Sequence, residues 1–357
     1  MRITKKLFFI FFKISIVSSL LGLVYIVYAL NEKLGNYSVK NDNYASDMKI
    51  EYSNNVNPFI NNKDNSSVQK FIDCFEESIE IEEFPVELKD KINEIYELFN
   101  DNNHNLSFSY EDLYTGLHIS YNENENQFAA STIKAPVITY LYEKIDKGEI
   151  NKDKQIQYLQ NYFVEGSGSI QYSDFGTSYS IGELAKKSIV ESDNIAYQMI
   201  SYNLDYNEIT TYWHNLGSDN FWQNSIWNNM NTKDGIIYMK ELYRYYLTNT
   251  DNSNELINYF YNSVMPLIKS IKNVLVAHKS GWRANLVHDM SIIFDEYPYV
   301  VAIMTDLGYE DYQSFFDKAS KLIEEIHEIY WNNKSNYCYN KNFNWYKNDR
   351  FCVDYIY

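Results

Sequence analysis

The sequence has few of the residues that bind nucleic acids, phosphates or metal ions. It carries 31 lysines and arginines against 48 aspartates and glutamates, a net charge of −17, and has no basic block beyond the extreme N-terminus. This balance argues against a nucleic-acid partner. The loop at residues 166–169 lacks the GxxxxGK[ST] spacing of a phosphate loop. The six histidines are scattered, without HExxH or a His/Cys cluster, so we expect no metal and no other cofactor.

Cysteine is also scarce, and the three cysteines leave their redox state open. Cys338 and Cys352 could close a loop in the tail of an exported chain, or both could be free thiols. Cys74 has no obvious partner. Because none of the three has a convincing histidine partner, the sequence does not indicate thiol catalysis.

One long apolar run is present, at the N-terminus. Residues 7–30 are almost wholly apolar apart from Lys13 and follow three basic residues. The run is long enough to span a bilayer. Basic residues before it and acidic sequence after it predict a single-pass anchor with an extracytoplasmic main domain. A cleaved signal peptide ending at residues 27–29 is the alternative, and the protein would then be secreted.

The chain divides into four segments by composition. An N-terminal anchor or signal is followed by a polar extracytoplasmic stalk, which we expect to be largely disordered. A folded domain with regular apolar periodicity comes next, and the aromatic and polar tail after it has no assignment. The segments are residues 1–30, 31–84, 85–331 and 332–357.

The periodicity of the folded domain predicts an α+β fold. A helix begins at Pro85, and two strand-like segments follow it. A helical region then precedes three more strands and a last helix. This order predicts a five-stranded antiparallel sheet flanked by helices, a three-layer α/β/α sandwich, with an all-helical lobe inserted between the second and third strands. The predicted strands are 106–110, 115–121, 274–282, 287–294 and 299–305, and the last helix is 311–330.

A Ser-x-x-Lys motif, Ser131 to Lys134, opens an apolar run that we interpret as a helix. The lysine then lies one turn along from the serine on the same face. A serine hydroxyl needs a base to become a nucleophile, and a lysine with a lowered pKa can act as that base. The same motif also occurs at Ser46 and Ser67, but both matches lie in the stalk.

Two further motifs complete a possible acyl-transfer site. In Ser192-Asp193-Asn194, the serine can relay a proton and the asparagine can hold a substrate amide. A second copy at residues 218–220 is interpreted as a plain turn. In Lys279-Ser280-Gly281, on a predicted strand, the lysine and the hydroxyl can bind a substrate carboxylate. The glycine allows close approach of substrate.

Together these motifs resemble the active-site set of the penicillin-recognising serine hydrolases, most closely the class A β-lactamases. The resemblance runs from about residue 85 to residue 330, in the order of that family. It implies a β-lactamase/transpeptidase-like fold and, as substrate, a β-lactam or a peptidoglycan peptide. It also implies the following roles: Ser131 as nucleophile, Lys134 as base, Ser192 as relay, Asn194, Lys279, Ser280 and Gly281 as substrate contacts, and the N–H groups of Ser131 and Trp282 as oxyanion hole.

The sequence departs from class A β-lactamases at one point. That family carries a glutamate after the Ser-Asp-Asn motif, which activates the water that hydrolyses the acyl-enzyme. The corresponding residues 221–230 contain no carboxylate, and Glu208 and Glu165 are misplaced for the role. We therefore expect acylation with slow β-lactam turnover. The chain is then a membrane-anchored hydrolase, a penicillin-binding D,D-peptidase-like enzyme, or a catalytically weak binder of wall peptide or antibiotic that acts as a sensor.

Overall fold

A computed structural model describes five segments of the chain. They are residues 48–52, 84–101, 103–223, 225–308 and 311–341, with the side chains of 335–341 left out. The chain divides into two compact units, residues 1–49 and 50–357, and the fold and site below belong to the second. The predicted anchor, most of the stalk, Cys74 and Cys352 lie outside the described residues. Within those residues, no helix is long and apolar enough to cross a bilayer.

The central sheet contains the five predicted strands. The strands of the described chain are β1 (Met48–Tyr52), β2 (Ser107–Asp112), β3 (Leu117–Tyr121), β4 (Gln127–Phe128), β5 (Gln155–Gln157), β6 (Ser178–Ser180), β7 (Asn229–Met230), β8 (Val276–Arg283), β9 (Leu286–Ile293) and β10 (Tyr299–Thr305). The sheet order is β1-β3-β2-β10-β9-β8, antiparallel from β3 to β8. Strand β8, which carries the Lys-Ser-Gly motif, therefore lies at one edge of the sheet.

Helices cover both faces of the sheet and build the inserted lobe. They are α1 (Val86–Phe99), α2 (Lys134–Asp146), α3 (Ile181–Val190), α4 (Asn194–Ser201), α5 (Tyr206–Asn215), α6 (Thr232–Tyr246), α7 (Asp251–Tyr261) and α8 (Tyr312–Lys341). A capping box opens α3, since the Ser180 side chain and Glu183 cap each other's backbone N–H.

The side chains of β2 explain why both faces of the sheet are covered. Phe108 packs against Phe99 of α1 with ring centroids 4.6 Å apart, and α8 lies on the same face. On the opposite face, Ser109 donates a hydrogen bond to Thr232 of α6 at 2.8 Å. Along the strand, large aromatic side chains on one face alternate with small polar side chains on the other, as the period of two requires. The three-layer sandwich is thus confirmed.

Three details differ from the sequence-based expectations. Strand β1 lies in the segment expected to be a disordered stalk. Strands β5 and β6 pair within the lobe expected to be all-helical. Strands β5 and β6 are only three residues long, too short for a period of two to stand out. Helix α8 continues to Lys341, beyond the predicted end at residue 330, because Trp331 remains buried and donates to Asp112.

Candidate active site

The predicted nucleophile, Ser131, lies in a single 3₁₀ turn, Ala130–Ile133, immediately before α2. We expected it on the first turn of the helix itself. Pro136 lies in the first turn of α2, where its missing N–H removes no helical hydrogen bond. Ala130 has a φ of 50°, a left-handed conformation that costs a non-glycine residue about 1–2 kcal/mol. The strained turn leaves Ser131 half-buried at the start of the helix.

Lys134 is completely buried, and its amine reaches the Ser-Asp-Asn motif. The Nζ atom donates to the Ser192 carbonyl at 2.5 Å, to Ser192 Oγ at 3.2 Å and to Asn194 Oδ1 at 2.7 Å. Burial and the nearby charge of Lys279 hold the pKa of Lys134 well below its ordinary value of 10.5. A lysine in this environment gives up its proton readily, which a general base requires.

Ser192 stands where the two motif lysines meet. Its Oγ accepts hydrogen bonds from Lys134 and, at 3.0 Å, from Lys279. Because both lone pairs of the hydroxyl then have donors, its own proton remains available for a third partner. The backbone of Ser192 has a φ of 53°, so this geometry is held against a conformational cost. The pattern suits a hydroxyl that passes a proton onward.

The other two residues of this motif, Asp193 and Asn194, hydrogen-bond to the neighbouring loop. The buried Asp193 carboxylate accepts from the N–H groups of Ala196 and Ile170 at 2.9 Å and 2.8 Å, capping α4 and holding the loop before it. Besides accepting from Lys134, Asn194 donates from Nδ2 to the Glu165 carbonyl at 3.2 Å. Its predicted contact with a substrate amide therefore competes with this loop contact.

Strand β8 runs along the site with alternate residues facing Ser131. Lys279 is buried and donates to Ser192, while Gly281 packs on the Ser131 turn. Burial lowers the pKa of Lys279 to about 7, against the charge of Asp289, which raises it. The two lysines therefore share one buried cluster in which each disfavours the other's charge.

Gly281 is required by the close approach of β8 to the nucleophile. A Cβ atom on Gly281 would lie 2.7 Å from the Ser131 nitrogen and 2.9 Å from that of Thr132. We expect Gly281→Ala to move β8 off the turn, destabilising the fold by about 1–3 kcal/mol and slowing acylation at least tenfold. Urea denaturation and acylation kinetics measure the two effects. Gly308→Ala is the matched control, because nothing lies within 4 Å of its Cβ position. Equal behaviour of both variants would contradict the account.

Ser280 faces away from Ser131, toward a segment that none of the three motifs contains. Its hydroxyl donates to the Val264 carbonyl at 3.0 Å. Behind it, the Asp289 carboxylate accepts from the N–H groups of Leu267 and Ile268 at 2.8 Å and 3.0 Å. Asp289 is paired with Ser280 in the register of β8 and β9. Asp289 thus fixes the segment that accepts the Ser280 hydrogen bond, and no local motif marks it.

Trp227 lies beside Lys134, a contact that no sequence motif predicts. The Lys134 Nζ lies 5.6 Å from the centroid of the Trp227 ring. The Tyr197 ring packs edge-on against that indole with centroids 4.6 Å apart, and its hydroxyl donates to the Ile226 carbonyl at 2.5 Å. Trp222 in turn donates to the Tyr197 hydroxyl at 3.1 Å. Trp227, supported by Tyr197 and Trp222, therefore forms an aromatic wall beside Lys134 in the loop of residues 221–230.

The sequence model of the Beta-lactamase enzyme family matches residues 87–333, which is most of the chain and the whole described site. The chain belongs to this family. Its members are serine hydrolases that act on C–N bonds. A comparison with curated proteins gives no match.

Solved structures of the family share its fold. A penicillin G acyl-enzyme of a PBP-A mutant is 21% identical, with a TM-score of 0.62, over 68% of this chain and 97% of its own. A β-lactamase from Sphaerobacter thermophilus is 15% identical, with a TM-score of 0.59, over 67% and 96%. An ancestral class A β-lactamase of Gram-negative bacteria is 17% identical, with a TM-score of 0.57, over 66% and 99%.

The two glutamates considered for the missing base, Glu208 and Glu165, make other contacts. Glu208 lies on α5 and pairs with Lys144. The side chain of Glu165 is exposed, and its backbone carbonyl accepts from Asn194. Among the described residues, no carboxylate forms an ion pair with Lys134 or Lys279. The second Ser-Asp-Asn copy is structural, since Ser218 donates to Asp234 at the start of α6. The expectation that residues 221–230 supply no base agrees with the aromatic wall found there.

Proposed function

We propose that the chain is an acyl-transfer enzyme that forms an acyl-enzyme on Ser131 with a β-lactam or a D-Ala-D-Ala-type wall peptide. The observation that supports it most is the convergence of Lys134 and Lys279 on Ser192 Oγ, beside the turn that carries Ser131. A nucleophile, a base with a lowered pKa and a proton relay are the groups that cleavage of a C–N bond by acyl transfer needs.

Acylation would proceed through three proton transfers. Neutral Lys134 takes the Ser131 proton while Oγ attacks the substrate carbonyl carbon. The oxyanion is held by the N–H groups of Ser131 and Trp282, each typically worth about 3 kcal/mol in such sites. Ser192 then gives its proton to the leaving nitrogen, the C–N bond breaks, and the proton on Lys134 restores the Ser192 hydroxyl. The Lys279 ammonium binds the substrate carboxylate, and Asn194 binds the substrate amide.

Hydrolysis of the resulting ester is expected to be slow. Residues 221–230 contain no carboxylate, and the Trp227 indole that lies beside Lys134 cannot accept a proton from water. Its π face stabilises the ammonium form of Lys134 by about 0.5–2 kcal/mol, which assists the step in which Lys134 gains the proton. The site is therefore arranged for acylation rather than for turnover.

Intact-mass measurement after mixing with penicillin G, followed over time, tests this proposal. The expected result is a gain of one penicillin molecule per chain that persists for many minutes. The PBP-A mutant structure is a penicillin G acyl-enzyme, which supports the choice of probe. The absence of any adduct, with no cleavage of a β-lactam or a D-Ala-D-Ala peptide, would overturn the proposed substrate class.

The second candidate is a binding or sensing protein that uses acylation as its signal. The aromatic wall at Lys134 favours it, because a long-lived acyl-enzyme reports on the antibiotic without destroying it. Steady-state hydrolysis, measured beside the penicillin time course, separates the two functions. A stoichiometric adduct without steady-state hydrolysis of β-lactam or wall peptide supports the sensor, and measurable hydrolysis supports the enzyme.

We also propose that residues 7–30 anchor the enzyme in the membrane with the catalytic domain outside the cytoplasm. The support is the length of the apolar run and the basic residues before it. Alkaline extraction of membranes that carry the full chain tests the anchor. An anchored protein stays in the pellet, and a protein released by cleavage is found in the soluble fraction.

A further inference from the structure

Arg283 is a cation without an acidic partner at the edge of the candidate active site. Its side chain is exposed at the end of β8, with Cζ 4.6 Å from the centroid of the Phe128 ring. In the described part of the chain, no carboxylate lies within ion-pair distance of it. By contrast, Arg244 pairs with both Glu143 and Glu241. In a chain with a net charge of −17, a guanidinium two residues beyond Gly281 on the site strand that keeps its hydrogen-bond donors unpaired points to an external anion.

The direction of β8 places Arg283 on one side of the reacting bond. Lys279, Gly281 and Arg283 alternate onto one face of the strand. In that order they contact Ser192, the Ser131 turn and Phe128. Under the proposed mechanism Ser192 protonates the leaving nitrogen, so the leaving group lies toward Lys279. The acyl part of the substrate then extends toward Arg283, which is about 7 Å beyond Gly281 along the strand.

We propose that Arg283 is a specificity-determining residue that binds a carboxylate on the acyl side of the scissile bond. This assignment rests on the proposed acylation of Ser131. The planar guanidinium donates two parallel hydrogen bonds to a carboxylate, and stacking on the Phe128 ring restricts where it can point. The preferred substrates are acyl chains with a carboxylate about five bonds from the reacting carbonyl, which spans a distance similar to that from Gly281 to Arg283.

Two penicillins that differ by one carboxylate test the assignment. Carbenicillin is penicillin G with a second carboxylate on the acyl side chain, and its reacting ring is the same. The second-order rate of acylation by each compound is measured for the wild type and for Arg283→Gln, Arg283→Lys and Arg283→Glu. We expect the carbenicillin to penicillin G ratio to fall about fivefold in Arg283→Gln and further in Arg283→Glu, with a smaller fall in Arg283→Lys, which keeps the charge but not the two parallel hydrogen bonds.

Lys318→Gln is the matched control, because it removes one exposed positive charge on α8. An unchanged ratio in this control shows that net charge is not the cause. If penicillin G acylates every variant and the ratio stays constant in Arg283→Gln and Arg283→Glu, the assignment is wrong while the proposed function stands. If neither penicillin acylates the wild type, the proposed function fails and the assignment fails with it.

Discussion

Replacing Ser131 with alanine is expected to abolish the penicillin adduct completely. The hydroxyl is the atom that would form the ester, and no neighbouring group can replace it. Ser192 also places a hydroxyl in the lysine cluster, but both of its lone pairs accept hydrogen bonds from Lys134 and Lys279. Intact-mass measurement should show one adduct on the wild type and none on Ser131→Ala. Urea denaturation checks that the variant is folded, since a half-buried serine contributes little to stability.

Ser67→Ala is the matched control for this experiment. Ser67 opens another Ser-x-x-Lys motif but lies in the segment assigned to the stalk. It should label like the wild type. An adduct that survives in Ser131→Ala, or one that disappears in Ser67→Ala, would show that the motif has been assigned to the wrong serine.

Replacing Lys134 with methionine is expected to slow acylation about 10³-fold. General-base catalysis typically contributes factors of 10² to 10⁴, and methionine keeps most of the side-chain volume while removing the amine. In the wild type, the acylation rate should rise with pH as Lys134 loses its proton, because neutral amine is the active form. Loss of the Lys279 charge, with a pKa of about 7, should oppose this rise by lowering the rate. Stopped-flow acylation across pH 5–9 measures both effects.

Lys279→Arg provides the control for the Lys279 effect. Arginine stays protonated throughout this range, so the opposing effect near pH 7 should disappear even if the overall rate is lower. Lys134→Met should lack the rise with pH. A Lys134→Met variant that keeps the wild-type rate and pH profile would remove Lys134 from the mechanism.

The sequence supports the fold class because that information is local. Apolar periods and caps mark helices, as the Ser180 capping box does at the start of α3. Five of the strands are long enough to show a period of two. The shorter strands, among them β5 and β6, are decided by pairing partners distant in sequence, so a single window cannot reveal them.

The candidate site likewise has features that the sequence predicts and features that only the fold determines. The three motifs, their order and the lack of a carboxylate in residues 221–230 can be read from the sequence, because each depends on residue identity over a few positions. The place where the motifs meet cannot be read from the sequence, since Lys134 and Lys279 lie 58 and 87 residues from Ser192 along the chain. Only the packed structure brings Trp227 against Lys134 and turns the Ser280 hydroxyl toward Val264. The residues alone indicate which groups can do the chemistry. Long-range packing decides which of them touch and shifts the pKa values of the two lysines, because burial and neighbouring charge are properties of the folded chain.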